Sequence, residues 1–200
     1  MVFRNILFFI LVVILLSDDI KSQKGFYDYK LVDLHGDSIV ISKNMPVFVF
    51  CWATWCGSCK RRFSTMNRLK NNHSETFFIS IPYPATNNEI KTVLTKHPLN
   101  FVIVDKTKEI FDNFIISQYF PSYSIIDRDS VLHEITKNSN IDDIIEGNVS
   151  NFIKSKGISY HKYYQLPDEE KDSIYNPILY KTLDSLLTKY EFKMKKNNTR

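Results

Sequence analysis

The segment Pro46-Val47-Phe48-Val49-Phe50-Cys51-Trp52 carries no charge and stops just before Cys56-Gly57-Ser58-Cys59. An unbroken apolar run of this length reads as a strand buried on both faces, as in a parallel or mixed sheet. From 56 to about 70 the period changes to helical, with Phe63, Met66 and Leu69 on one face. A strand buried on both sides needs a layer above it and a layer below it. This strand–motif–helix unit therefore commits the chain to an α/β architecture.

The flanking patterns extend that frame. Residues 29–34 and 38–41 alternate around the turn His35-Gly36-Asp37 and read as an N-terminal hairpin. Residues 76–81, 101–104, 122–127 and 131–135 read as strands, with Arg128-Asp129-Ser130 turning between the last two. Residues 87–96, 108–116 and 141–156 read as helices, the last introduced by Asn140 as N-cap. Strands alternating with helices predict a parallel centre, and the two consecutive strands predict an antiparallel edge. Residues 25–157 form the predicted α/β domain, a central mixed sheet flanked by helices. Residues 158–200 form a C-terminal helical extension, with 161–167 as a linker and 168–175 as a first helix. A second helix restarts at Asn176-Pro177, Asn as N-cap and Pro at the first helical position. Leu179, Leu183, Leu186, Leu187 and Tyr190 then follow at helical spacing. That stripe packs back on the domain, or meets a second copy or another partner.

Residues 1–22 read as a targeting segment. Arg4 precedes an apolar run from 6 to 16, closed by Ser17, Asp18 and Asp19. The run is shorter than the roughly 20 residues of a membrane-spanning helix and fits the h-region of a secretory signal. Ser22 offers a cleavage point, whereas Ile20 departs from the small-x-small rule, so a signal peptide and a short membrane anchor both stay open. The expected location is outside the cytoplasm, in the periplasm or on the outer face of the cytoplasmic membrane, where disulfides persist. Net charge is +4. Lys193, Lys195, Lys196 and Arg200 place much of the excess in a C-terminal tail. Basic residues and aromatics do not spread over one folded face as nucleic-acid binding requires.

All three cysteines, Cys51, Cys56 and Cys59, lie within this one stretch. Cys-x-x-Cys at the start of a helix puts two thiols on one face. Cys56 then occupies the helix N-terminus, where unpaired amides and the macrodipole favour a thiolate, the nucleophilic form. The dipole contributes about 0.3–1 kcal/mol, and one pKa unit corresponds to about 1.36 kcal/mol. A large depression therefore also needs hydrogen bonds to the sulfur. Cys59, one turn deeper, is placed to resolve a mixed disulfide. Lys60, Arg61 and Arg62 read as a basic helix face. Zinc is the competing use of the motif. A structural zinc site takes four ligands, and no second cysteine pair exists; His35, His73, His97, His133 and His161 are scattered. No metal and no cofactor are expected, the cysteine pair itself being the redox group.

Trp52-Ala53-Thr54-Trp55-Cys56-Gly57-Ser58-Cys59-Lys60 resembles the active-site segment of the thioredoxin superfamily. Thr54 and the upstream Leu31-Val32-Asp33-Leu34-His35-Gly36 are similar to its exported TlpA/ResA-type thiol–disulfide oxidoreductases. The resemblance covers about 29–156 and implies a thioredoxin-like fold with an extra N-terminal hairpin. It implies Cys56 and Cys59 as the catalytic pair, with Trp52, Gly57, Ser58 and Lys60 in the active-site motif. Phe120-Pro121-Ser122 matches the family's cis-proline position, so Trp55, Phe120 and Pro121 are the implied substrate-binding residues. The implied partners are protein thiols and disulfides, with a membrane thiol-reductant carrier as electron source, and the implied direction is reduction. The alternative is a non-catalytic binding module acting through its C-terminal helix. A peroxidase lacks support, because the Thr/Ser-x-x-Cys pattern is missing around Cys56.

Two departures stand out. Thioredoxin proper carries a buried Asp two residues before the first Trp, where this chain has Phe50. ResA-type proteins use a Glu after the next strand, where this chain reads Ser80-Ile81-Pro82-Tyr83-Pro84; Glu89 is the nearest carboxylate in sequence. The proton acceptor for Cys59 is left without a candidate. Cys51 lies within the buried strand and reads as packing.

Overall fold

The structure, a computed structural model, describes residues 26–83, 85–105, 120–127, 132–134 and 141–198. The targeting segment, the expected helix at 108–116, the turn at 128–130 and the Asn140 cap lie outside these residues.

After a 3-10 turn, Phe26–Asp28, come strands β1 (Leu31–Val32), β2 (Ser38–Ile39) and β3 (Val47–Trp52), then helix α1 (Gly57–Asn72). Next are β4 (Phe77–Pro82), α2 (Asn87–Lys96), β5 (Val102–Ile103), β6 (Ser122–Ile126) and β7 (Leu132–Glu134). Helices α3 (Ile141–Ser155), α4 (Tyr160–Gln165) and α5 (Asp168–Asn198) close the chain. The main sheet runs β5-β4-β3-β6-β7. β3 pairs parallel with β4, and β4 with β5, while β6 and β7 add antiparallel. This is the mixed sheet the alternating pattern predicts, with β3 at its centre.

Every residue of β3 is buried, and alternation divides them between two cores. Phe48, Phe50 and Trp52 face a layer built from Phe63, Met66 and Leu69 of α1, Ile145, Val149 and Ile153 of α3, and Leu179, Leu183 and Leu187 of α5. Val47, Val49 and Cys51 face the other way, toward Phe26, Leu31, Ile79, Ile81, Val104 and Ile126. The hairpin β1–β2 contributes to this second core. Its turn is held by the Asp33 carboxylate, which accepts from the amides of His35 at 2.7 Å and Asp37 at 3.0 Å, with Gly36 at φ 88°. Only glycine takes that conformation without strain. These bonds, the His35 amide first, hold the Asp33 carboxyl below its ordinary range.

The C-terminal extension departs from expectation at two places. The expected linker is helical: Ser159 caps α4 by accepting from the Lys162 amide, and Tyr163 packs inside. The expected restart at Asn176-Pro177 does not occur, because α5 runs straight through it. Pro177 lacks the N–H that would bond back one turn, at a cost of about 3 kcal/mol. Burial of Leu179, Leu183 and Leu187, each fully enclosed and worth about 1.5–3 kcal/mol, offsets that loss. Asn176 is not an N-cap; its side-chain oxygen accepts from Arg62 at 2.6 Å. Because those three leucines fill the chain's own core, they present no surface to a dimer partner or to a ligand of the helix. Among the described residues no helix is long and apolar enough to cross a membrane.

Candidate active site

Helix α1 begins where Cys56 turns out of extended backbone. Its amide donates to the Ala53 carbonyl at 3.0 Å, closing the turn from β3. Cys56 is the N-cap, and its sulfur accepts from the Cys59 amide at 3.1 Å. A sulfur thus does what a Ser or Asp oxygen does at most helix starts. Ser58 Oγ lies 3.3 Å from the same sulfur. Cys56 and Cys59 are joined as a disulfide, with Cys56 at 5% exposure and Cys59 at 0%. No acidic residue stands in the first turn of α1 to oppose a negative charge on that sulfur. Lys60 folds back, donating from Nζ to the Thr54 carbonyl at 3.3 Å, so it braces the motif from within.

The other implied site residues assemble around this point at two depths. Trp52 is fully buried; its indole N–H donates to Ser80 Oγ at 2.6 Å and its ring meets Phe63 edge-on. It supports the motif from beneath. Trp55 is 69% exposed, and its ring packs edge-on against Phe120 with centroids 6.0 Å apart. The Phe120–Pro121 peptide is cis. Tyr83 packs on Phe120 at 5.3 Å and completes a row of three rings beside the reactive pair. The sequence reading passed over Tyr83. Its signal was register: Pro82 pairs with Trp52, so the next residue emerges level with the motif.

Arg62 is more than part of a basic face. It is buried, donates from Nη1 to Asp172 and Asn176 at 2.6 Å each, and stacks 4.1 Å over Tyr175. It is a buried polar tie between the active-site helix and α5, beside the Arg61 and Asn72 contacts to the same helix. Cys51 lies on the opposite face of β3 from the disulfide, in the second core. Burial pushes its thiol up to about 12, against an opposing hydrogen bond from Ser122. It stays protonated and unreactive.

A proton acceptor is missing where two relatives' patterns would place one. Phe50 stacks on Tyr123 and meets Phe63 and Phe101 edge-on. Glu89 is used in a capping box: its carboxylate accepts from the Thr86 amide and hydroxyl at 2.7 Å. Asp127 is buried but follows β6 past the residue paired with Val47, at the other end of the sheet from the motif. Asp172 is held by Arg61 and Arg62. Among the described residues no group of His, Cys, Asp and Glu has metal-binding geometry.

The thioredoxin family model matches residues 30–147. The thioredoxin-like protein YneN of Bacillus subtilis (strain 168) is 23% identical over 114 residues, 54% of this chain and 66% of that protein. The thiol-disulfide oxidoreductase ResA of the same organism is 23% identical over 125 residues, 60% of this chain and 70% of that protein. The chain thus spans about two thirds of the length of these relatives. Among solved structures, that of MTB dsbF in its mixed oxidized and reduced forms superposes with a TM-score of 0.50 at 18% identity. The match covers 58% of this chain and 90% of that one, and is a likeness of fold.

Proposed function

The chain belongs to the thioredoxin family, and from that premise we propose that it is a thiol–disulfide oxidoreductase acting on protein substrates. The observation that carries this reading is the cap geometry: the Cys56 sulfur sits at the N-terminus of α1 and accepts from the Cys59 amide. A sulfur so placed is stabilised as a thiolate and leaves well from a disulfide.

In the dithiol form the Cys56 thiolate attacks one sulfur of a client disulfide. The client S–S bond breaks, a Cys56–client disulfide forms, and the other client sulfur leaves as thiolate. Cys59, as thiolate, then attacks the Cys56 sulfur. The mixed disulfide breaks, the Cys56–Cys59 disulfide forms, and the second client sulfur leaves. Two electrons pass to the client, whose thiolates take up the two protons that the cysteine pair gives to solvent. Complete burial of Cys59 suits a thiol that reacts only with its neighbour. Trp55, Phe120 and Pro121 form the surface on which the client chain lies, the Phe120 backbone bonding to it as an extended strand. Trp52, Gly57, Ser58 and Lys60 shape the motif.

The direction we propose is reduction, outside the cytoplasm, with electrons from a membrane thiol carrier; residues 1–22 deliver or anchor the chain there. A reduction potential near −270 mV supports a reductant and one near −120 mV an oxidant, each an approximate reference value. Equilibration of the Cys56/Cys59 pair against glutathione or dithiothreitol measures it.

A further inference from the structure

Helices α1, α3, α4 and α5 line an open cavity of about 240 Å³ that plays no part in the exchange reaction described above. Tyr163 forms its buried wall, while Tyr160 and Tyr164 are 42% and 55% exposed at its mouth. Their rings contact one another at 5.0–6.5 Å. Exposed aromatic rings that are already ordered against each other present apolar area at little entropic cost. They accept a bulky side chain readily.

The charges lining the cavity do not balance. Arg61, Arg62 and Lys171 share two carboxylates, Asp168 and Asp172. Asp172 holds both buried Arg62 and Arg61, each at 2.6 Å. Asp168 serves both Arg61, at 3.1 Å, and Lys171, at 2.9 Å, from a side chain that is 56% exposed. Water screens those two contacts, and they exchange easily. An incoming carboxylate finds Lys171, held only by exposed Asp168, to pair with and rings beside it.

Arg61 connects the cavity lining to the start of the active-site helix. Arg61 Nη1 lies 3.5 Å from where a Cβ on Gly57 would stand, and Gly57 follows Cys56. We propose that this cavity is a docking subsite for the client polypeptide, taking an acidic segment with an aromatic or bulky aliphatic side chain beside the carboxylate. The identity of the occupant as client rests on the oxidoreductase reading; the ligand chemistry does not.

The test uses the full oxidised chain and fluorescein-labelled, cysteine-free decapeptides with Glu-Phe, Lys-Phe or Glu-Gly at the centre, read by anisotropy. The Glu-Phe peptide should bind at least about tenfold more tightly than either of the others. Tyr164→Ala and Lys171→Glu should each weaken it at least about fivefold, with the thermal melt and the reaction with glutathione disulfide unchanged. Equal binding of Glu-Phe and Lys-Phe peptides, or wild-type affinity in both variants, overturns the subsite. Exchange with protein disulfides but no peptide binding also overturns it, and leaves the oxidoreductase reading intact. Peptide binding by a chain that exchanges no disulfide contradicts the oxidoreductase reading and the client assignment, and supports the ligand chemistry.

Discussion

The Cys59 amide points at the Cys56 sulfur across 3.1 Å, so the cap of helix α1 and the reactive atom of the site are the same atom. Helix formation and thiolate stabilisation are thereby one interaction. Reduction frees the Cys56 sulfur to carry charge while the donor stays in place.

Ser58 supplies a second donor to that sulfur. A hydrogen bond to a charged group contributes about 1.5–3 kcal/mol, toward the low end where water reaches it. Ser58→Ala should therefore raise the pH midpoint for iodoacetamide alkylation of reduced Cys56 by about one unit. Ser64→Ala, on an exposed part of the same helix, should leave the midpoint unchanged.

Cys51 should be silent to reagents. After reduction, a chromogenic disulfide should titrate two thiols in the native chain and three in denaturant. Its raised folded-state value also makes it an alkaline liability. The unfolded thiol, near 9, loses its proton before the folded one, near 12. The stability it confers is complete below about 9 and is lost as pH rises toward 12. Tyr27, raised by burial from 10 to about 12, acts in the same sense. Cys51→Val should flatten the fall in unfolding free energy across that window by up to about 1.36 kcal/mol per pH unit. Urea titrations at stepped pH read this directly.

Helix α5 belongs to the core. Leu183→Ala should cost about 2–5 kcal/mol in urea unfolding. Asp172→Ala, which strands the buried Arg62 guanidinium, should cost about 3 kcal/mol. Leu183→Glu with Leu187→Glu should abolish far-UV and near-UV structure together. A folded double variant that had only lost self-association would contradict this packing.

The stretch from β3 to α1 was legible because one period change and one motif agreed there. The consecutive strands β6 and β7 were readable as two apolar runs separated by the turn residues Arg128-Asp129-Ser130. The extension was misread where tertiary contacts override local signals. Asn176-Pro177 is a strong helix start by itself, yet Arg62 takes the Asn176 side chain and the core takes the leucines beyond it. Arg62 looked like one of three surface cations, because nothing local foretells an acceptor 110 residues away. Tyr83 needed the β3–β4 register before its nearness to Phe120 could be seen.

Phe50 stands in the layer behind the motif and Glu89 is tied up as a cap, and the expectation is that Cys59 gives its proton to water. Resolution of a mixed disulfide should be slower than in thioredoxins that keep the acid. Its pH profile should lack an inflection in the carboxylate range near about 4–7 and rise only toward the thiol range. Stopped-flow resolution of a preformed Cys56 mixed disulfide gives both quantities. A rate equal to those relatives, or a carboxylate inflection, contradicts the assignment.

The central claim is that Cys56 attacks and Cys59 resolves, and trapping tests it most directly. Wild-type chain, Cys56→Ser and Cys59→Ala are reduced, mixed with a disulfide-bonded protein such as insulin, quenched with alkylating agent and run on non-reducing gels. The account predicts client reduction without a trapped adduct for the wild type, a stable covalent adduct for Cys59→Ala, and neither for Cys56→Ser. An adduct formed by Cys56→Ser, or a wild-type chain that reduces no protein disulfide, would contradict it.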